Sequence, residues 1–544
     1  MQSLKTLSAR LTRARAPGSR RAQWHLLALV LSMLLVGCGS LPSIDRGENF
    51  LSDAIAASAQ TTLGRIALDS IPAPELSGFR LMPLGTFSLD TRLQLIRRAE
   101  VSLDVQYYHL EQDDVGRYFM RALRDAAARG VRVRLFIDDL YTGGADELLL
   151  ALEAHPNIEV RLFNPFCCAR DFGQLTRFLA ETGEWSRVNH RMHNKLIVAD
   201  GAMAVIGGRN IANEYFLRSM AENFVDVDAF TVGFILPPLQ ALFDRYWNSS
   251  AAYPLRALAR TSLSNDELQA KFEYATRPET TPPPRPLPRN DVLGYGPIAD
   301  DLDGGKLGLI WGSAYAFADH PDKPFDTAPL DGDLEETSVT YNVFEAIRRA
   351  KKSVVASSPY FVPGKVGMSL LHELRAKGVT VTVLTNSLAA TDEFVVHAGY
   401  SRYRQQMLAI GVDLYELSSS RLKANRHPFL FGSSLGRLHA KLVVIDKHLS
   451  FIGSMNLDPR SAIVNTELGA IIESPELARE LLHIIDIDRL QSAYRVRLAP
   501  DGQTVQWLSA DDENEIVLST EPDSSAWLRF KAWLLGPLIP DELL

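Results

Sequence analysis

Cysteine is almost absent from this chain, with three in 544 residues, at positions 38, 167 and 168. Cys167 and Cys168 are adjacent, and neighbouring Cα atoms about 3.8 Å apart fall below the usual disulfide span. A disulfide-stapled fold is therefore excluded, and the pair reads as small hydrophobes rather than a redox couple or a metal site. Long apolar runs are lacking too. The run over 26–36 has eleven residues, too few for a comfortable bilayer span. Nor is there an excess of basic charge: 57 Lys and Arg stand against 65 Asp and Glu, for a net charge of −8. A dedicated nucleic-acid binder would carry a basic footprint, so no nucleic-acid partner is expected.

Charge is unevenly placed. The first 37 residues hold six basic residues and no acid, and without them the balance is −14. This basic segment precedes the apolar run and then Gly37-Cys38-Gly39-Ser40, the layout of an export signal. Leu35-Val36-Gly37-Cys38 resembles a bacterial lipobox, which implies that Cys38 is the mature N-terminus and carries lipid. The expected setting is a bacterial cell envelope, facing the periplasm and lipid-anchored to a membrane.

One pattern occurs twice. His193, Lys195, Asp200, Gly207 and Asn210 are followed, 246 residues later, by His439, Lys441, Asp446, Gly453 and Asn456. The spacing H-x-K-x4-D-x6-G-x2-N and the apolar filler match, so a half-site has been duplicated. The surroundings repeat as well. IRRA at 96–99 returns at 347–350, and each copy is followed by a strand, an amphipathic helix ending at Gly130 or Gly378, and a second strand. Strands alternating with helices predict an α/β fold of two duplicated α/β/α units. The divisions expected are a signal peptide (1–37), an N-terminal extension (38–80), a first half (81–260), a Pro-rich connector region (261–335), a second half (336–495) and a tail (496–544). The Pro-rich stretch 280–297 excludes a helix or a central strand. In the tail, Trp527, Phe530, Trp533 and Leu534 recur at roughly helical spacing. A helix packed on the core is the plainer reading, and an interfacial helix with Trp beside Lys and Arg is the alternative.

HNKLIVAD reads as a strand, which puts His193 and Lys195 on one face, where both meet one phosphate. Asp200 lies about 23 Å further along a straight strand and on the other face. Although it belongs to the candidate catalytic set His193, Lys195, Asp200, His439, Lys441 and Asp446, it reads as a turn former. With Asp200-Gly201 as a two-residue hairpin turn, Lys195 pairs with Ile206 and His193 with Gly208. The second copy places Ser454 opposite His439, with room for one more loop residue. Gly208, Ser454, Asn210 and Asn456 are then expected around the phosphate. The acids that orient the imidazoles are expected outside the motif, at Asp226 and Glu467 in the strands that follow, with Asp228 competing with Asp226. Each would accept a hydrogen bond from an imidazole Nδ1–H.

Displacing an alcohol from a phosphodiester needs a nucleophile, a proton donor for the leaving oxygen and positive charge around the remaining oxygens. Two histidines divide the first two tasks, one forming a phosphohistidine while the other serves as acid and then base. Lysines and asparagines supply the third, so neither a metal nor another cofactor is expected. The spacing of His190 and His193 would admit zinc, but no cluster of Cys or carboxylates completes such a site.

The two motifs resemble those of the phospholipase D superfamily, and the resemblance covers both halves. It implies halves joined about a pseudo-twofold axis, mixed sheets and one active site between them, with His193 favoured as nucleophile and His439 as acid and base. LDVQYYHLEQDD (103–114), RGVRVRLFIDD (129–139), RLFNPF (161–166), RMHNK (191–195) and GGRNIANEYF (207–216) are most similar to bacterial cardiolipin synthases of the C type. That similarity implies transfer of a phosphatidyl group to phosphatidylglycerol, with phosphatidylethanolamine as another donor. A phospholipase D that hydrolyses to phosphatidate, a phosphodiesterase or nuclease, and an inactive binding module are the competing readings.

Overall fold

The computed structural model describes residues 41–47, 50–323, 338–421, 435–511 and 514–536. The expected signal peptide and Cys38 lie outside the described residues.

Twenty strands organise the described residues. In the first half they are β1 (Ser77–Met82), β2 (Ser102–Tyr107), β3 (Arg132–Asp138), β4 (Ile158–Phe163), β5 (Leu196–Ala199), β6 (Met203–Gly207), β7 (Glu222–Val225), β8 (Asp228–Gly233) and β9 (Ala252–Pro254). β10 (Ile310–Ala318) leads into β11 (Ser353–Ser357), β12 (Thr380–Asn386), β13 (Asp413–Leu417), β14 (Leu435–Leu438), β15 (Leu442–Ile445), β16 (Leu449–Gly453), β17 (Leu468–Glu473), β18 (Ala493–Leu498), β19 (Val505–Asp511) and β20 (Asn514–Leu518). β2, β3 and β4 are parallel, while β5, β6, β8 and β1 add antiparallel beside β2. The second half repeats this order with β11, β12, β13, β15, β16, β17 and β10. β1 and β10 pair at the centre, joining both halves into one 18-stranded sheet with a pseudo-twofold between them.

Alternation of side chains explains how the halves weld. Ile197 and Ala199 of β5 enter the core of their own half, while Leu196 and Val198 enter a second core. In β15, Val443 and Ile445 likewise face their own half, and Leu442 and Val444 enter that same second core. The shared core also takes Leu239 and Phe243 from the helix Leu236–Trp247 and Leu477 and Leu481 from the helix Pro475–Ser492. Side chains of period two thus serve two cores at once.

Two expectations need correcting. The region 261–335 is more than a connector: it holds the helix Asn265–Ala275, packed beside the helix Asp146–Glu153, and β10, which runs from β1 to β17. The stretch 280–297 itself has neither helix nor strand. The tail is not wholly separate either, since β19 and β20 extend the second sheet beyond β18.

Candidate active site

The hairpin that carries each motif has one more loop residue than a two-residue turn. Asp200 and Gly201 both have positive φ, and Ala202 N–H closes the turn on Ala199 O. Ala199 nonetheless pairs with Met203, so Leu196, not Lys195, faces Ile206. The second hairpin behaves alike, with Asp446 and Lys447 at positive φ and Ile445 paired with Leu449. The extra residue bulges at the end of a turn whose two central residues are left-handed, and it shifts the expected register by one.

Asp200 and Asp446 are remote from phosphate chemistry. Asp200 accepts from the backbone N–H groups of Glu100, Val101 and Ser102 at 2.8–3.1 Å. Asp446 accepts from those of Lys351, Lys352 and Ser353 at 2.7–2.9 Å. Each carboxylate thus clamps the start of the neighbouring parallel strand, β2 or β11. Their place in the candidate catalytic set is corrected to a structural one.

The orienting acids reach across the halves. His193 Nδ1 lies 2.9 and 3.1 Å from the two oxygens of Glu467, and His439 Nδ1 lies 2.6 Å from Asp226 Oδ2. The backbone crosses in the same way: His193 N–H donates to Thr466 O at 2.8 Å and His439 N–H to Val225 O at 2.7 Å. Thr466 and Val225 are the residues before the two acids. β7 and β14, lying parallel, bring Val225 beside Leu438. Asp228 instead pairs with Arg92 and Arg209 at 3.0 and 3.1 Å, which leaves Asp226 to the histidine.

Gly208 and Ser454 occupy equivalent positions, and both are committed to the acids rather than to the expected phosphate. A Cβ at Gly208 would sit 2.6 Å from Asp226 Oδ2, so glycine makes room for that carboxylate. Ser454 donates its hydroxyl to Glu467 and accepts from Leu468 N–H at 2.9 Å. Asn210 Nδ2 donates to the Tyr215 hydroxyl at 2.9 Å, while its Oδ1 and that of Asn456 are buried with no partner among the described residues. Each lysine spends one proton on its own histidine's carbonyl, Lys195 at 2.5 Å and Lys441 at 2.6 Å. Lys441 Nζ also stands 3.2 Å from the ring nitrogens of His439, and the remaining ammonium protons of the two lysines are available to an anion.

Burial governs the charges. It lowers the His193 imidazole well below its ordinary range, with Lys195 and Lys441 adding to the effect. Burial, then Lys441, does the same to His439. Burial pushes the Glu467 and Asp226 carboxyls up to about 7 against the pull of the lysines. It draws Lys441 down to about 8 and Lys195 well below the usual amine range. Lys195 and Lys441 stand against Glu467 and Asp226, so cationic and anionic groups balance in pairs, and an arriving phosphodiester adds a negative charge that favours a proton on His439. The balance is costly to keep dry, which is why both lysines and both acids interact with one another.

Aromatic rings that the sequence reading missed stand around the two histidines. The Tyr108 ring is 4.9 Å from His193 and 5.2 Å from Tyr141, and Tyr215 and Phe224 each stand 5.0 Å from His439. Tyr108 directly follows β2 and Tyr215 sits in the IANEYF stretch. Neither carries a signal beyond its nearness to the motif. Asp392 acts on His439 and Lys441 and accepts from the Tyr360 hydroxyl at 2.7 Å.

The alternative metal positions are otherwise engaged. His190 Nδ1 meets Val464 O at 2.7 Å. Cys167, Cys168 and Glu181 bring ligand atoms within 4.8 Å of one another. Glu181, however, accepts from the Cys167 and Cys168 N–H groups through one oxygen and pairs with Arg187 at 2.8 Å through the other.

Comparisons with known proteins agree with this geometry. A family described as "Cardiolipin synthase, PLD-like domain" matches residues 93–247 and 343–488, one segment in each half. Cardiolipin synthase C of Escherichia coli (strain K12) is 36% identical over 480 residues, 85% of this chain and 96% of that protein. Cardiolipin synthase A of Pseudomonas fluorescens (strain Pf-5) is 26% identical over 77% of this chain and 70% of its own length. Among solved structures, the phosphatidylserine synthase of Haemophilus influenzae Rd KW20 superposes with a TM-score of 0.54 at 13% identity, covering 89% of this chain and 99% of that one. That likeness concerns the fold alone.

Proposed function

The chain belongs to the cardiolipin synthase family of phospholipase D-like proteins, and from that premise we propose that it transfers a phosphatidyl group onto phosphatidylglycerol to make cardiolipin. The donor is a second phosphatidylglycerol or phosphatidylethanolamine. His193 Nε2 attacks phosphorus, and the P–O bond to the headgroup breaks. His439, which takes up a proton together with the anionic substrate and so enters the step as an imidazolium, gives its Nε2 proton to the departing glycerol or ethanolamine oxygen, leaving a phosphohistidine. The acceptor hydroxyl then loses its proton to His439, attacks phosphorus and frees His193. Glu467 holds the Nδ1–H of His193 and steadies the positive charge that develops as the N–P bond forms. Asp226 does the same for the His439 imidazolium. Lys195, Lys441, Asn210 and Asn456 surround the non-bridging oxygens, and no step calls on a metal.

One observation carries this reading: both histidines are held by acids of the opposite half in a single buried site. The two histidine side chains are only 9% and 7% exposed, which supports transfer to a bound alcohol over hydrolysis by bulk water. Cys38 is the proposed lipid anchor, with the site on the periplasmic side of an envelope membrane. The test is incubation of the purified protein with labelled phosphatidylglycerol, with and without phosphatidylethanolamine. Cardiolipin is the expected product, abolished by His193→Ala and by His439→Ala. Phosphatidate alone would make the protein a hydrolase, and cleavage of DNA with no lipid turnover would sink both.

A further inference from the structure

Two exposed apolar patches, one from each half, lead off the walls of the active site. The tail helix Ala526–Leu535 buries none of its ten residues. Leu528, Ala532 and Leu535, partly buried, share one face of this helix, which packs beside the helix Phe394–Ala409. The other face presents Trp527, Phe530 and Trp533, with Trp527 63% and Trp533 72% exposed. These three rings follow one another along the helix, Trp527 stacked on Phe530 and Phe530 tilted against Trp533, with centroids 5.6 and 6.0 Å apart. Arg529 and Lys531 are the only charges between Ser525 and Gly536, in a chain whose net charge is −8. Lys531 folds its ammonium over Trp527 at 5.5 Å.

The second patch is in the first half. Leu175 and Leu179, 74% and 64% exposed, lie one turn apart on the helix Gln174–Ala180, beside exposed Phe172 and Trp185. Phe178, between them in sequence, turns inward onto Phe166 and Trp185 at 5.2 and 5.3 Å. A helix of mixed leucine and polar residues that leaves both leucines in water is unusual unless something covers them.

Contacts tie both patches to the site. On one side the path runs from His193 to Tyr108 to Tyr141, whose hydroxyl meets Gln174, the first residue of the Leu175 helix. On the other side Asp392, which acts on His439 electrostatically, stands two residues before the helix Phe394–Ala409. Gly536, which caps the tail helix three residues after Trp533, faces that helix: a Cβ placed there would lie 3.5 Å from Ala398 Cβ. Groups of opposite halves come within electrostatic reach of one another here, since Asp392 and Glu393 both act on Tyr141.

We propose that these patches form a two-sided membrane-docking surface that seats the mouth of the active site against a phospholipid bilayer, a proposal that rests on the reading of the site as one for phospholipid. Tryptophan beside arginine and lysine suits the headgroup layer, with rings at the acyl boundary and cations on phosphate. Leu175 and Leu179 supply the matching apolar contact on the other rim. Docking on both sides of the mouth lets an acyl-chain-bearing substrate enter without crossing water.

The test uses the full chain and vesicles of phosphatidylglycerol and phosphatidylethanolamine carrying brominated acyl chains. Bromine quenches nearby tryptophan, so quenching reports insertion regardless of any lipid anchor. Emission from Trp527 and Trp533 is expected to be quenched, identified by its loss in Trp527→Ser/Trp533→Ser. A Leu175→Glu/Phe530→Glu variant should need roughly tenfold more vesicle lipid for half-maximal turnover, because each new charge must leave the interface. Its turnover of monomeric short-chain phosphatidylglycerol should be unchanged. Absence of quenching together with an unchanged lipid requirement would overturn the docking surface while leaving the proposed reaction standing. Quenching without turnover of either lipid form would keep the surface and remove the reaction. A Leu175→Glu/Phe530→Glu variant that changes oligomeric state by light scattering, with no vesicle quenching, would reassign the patches to a second copy of the chain and overturn the proposal.

Discussion

Replacing Asp226 by Asn and Glu467 by Gln separates the two histidines by phenotype. Each substitution keeps side-chain volume but removes the charge that the opposite half offers to an imidazole Nδ1–H, at 2.6 Å for His439 and 2.9 Å for His193. A hydrogen bond to a charged group contributes about 1.5–3 kcal/mol. At 1.36 kcal/mol per decade, its loss in the transition state slows turnover about 10- to 160-fold. The two defects differ in where they fall. If His439 is the acid, Asp226→Asn weakens protonation of the leaving alcohol. A substrate with a nitrophenol leaving group departs without that proton, so it should recover most of the lost rate. Glu467→Gln weakens the nucleophile and should slow both substrates alike. The assay compares kcat/KM for phosphatidylglycerol with that for a short-chain phosphatidyl nitrophenol. His439→Ala and His193→Ala on the same pair serve as references, and circular dichroism checks folding. Asp226→Asn should follow the His439→Ala pattern and Glu467→Gln the His193→Ala pattern, whichever histidine is the nucleophile. If Asp226→Asn instead followed His193→Ala, the crossed pairing would be refuted.

Other expectations concern charge, stability and space. Glu467 and Asp226, raised to about 7 by burial, hold their carboxylates only above that pH, whereas Lys441, lowered to about 8, holds its ammonium only below it. A pH profile of kcat/KM should therefore be a narrow bell between about 7 and 8, and bound phosphate should move the alkaline limb of kcat upward by favouring the ammonium. A limb that stays put between kcat/KM and kcat would remove Lys441 from the phosphate. Asp200→Ala strips three backbone N–H groups of their acceptor and should cost about 2–4 kcal/mol in urea unfolding. The molecules that stay folded should keep the parent KM. A stable Asp200→Ala protein with a raised KM would return Asp200 to the site. Gly208→Ala drives a methyl to within 2.6 Å of Asp226 Oδ2, so turnover should fall as in Asp226→Asn. Parent kinetics in that variant would show that the carboxylate moves freely.

Much of the architecture was legible because it repeats. Equal spacing at His193 and His439, and the order of strand, helix, Gly and strand ending at Gly130 and Gly378, required two similar units. The same repeat identified β2, β3, β11 and β12, of which β2 is buried on both faces. The single bulged residue at Ala202 was not legible, because Asp-Gly serves a two-residue turn as readily as one with a bulge. β10 was hidden inside a region dominated by proline. The roles of Gly208 and Ser454 were misread because a small residue beside a histidine leaves room equally for a substrate or for a carboxylate. Nothing in a linear pattern says which half supplies an acid: Asp226 and Glu467 could be chosen as types, but their partners are set by β7 beside β14 and by Thr466 beside Met192. Asp392 at the mouth had no signal at all.

The crossing explains why the orienting acid lies outside the motif while an invariantly spaced Asp lies inside it. Asp200 and Asp446 act within their own halves, tying each hairpin to its own parallel strand. That work needs a fixed distance from the hairpin turn, hence the fixed spacing. Asp226 and Glu467 act between halves, and their distance from the motif is free to differ, as it does by five residues between the copies. Apart from its partner, each half would carry a carboxylate with no imidazole and an imidazole with no acceptor. An unpaired buried charge costs several kcal/mol. The two crossed pairs therefore add to the shared apolar core in holding the halves in register, and they form only when that register is correct. Assembly of the site and docking of the halves are one event, so neither copy of the motif is expected to act alone.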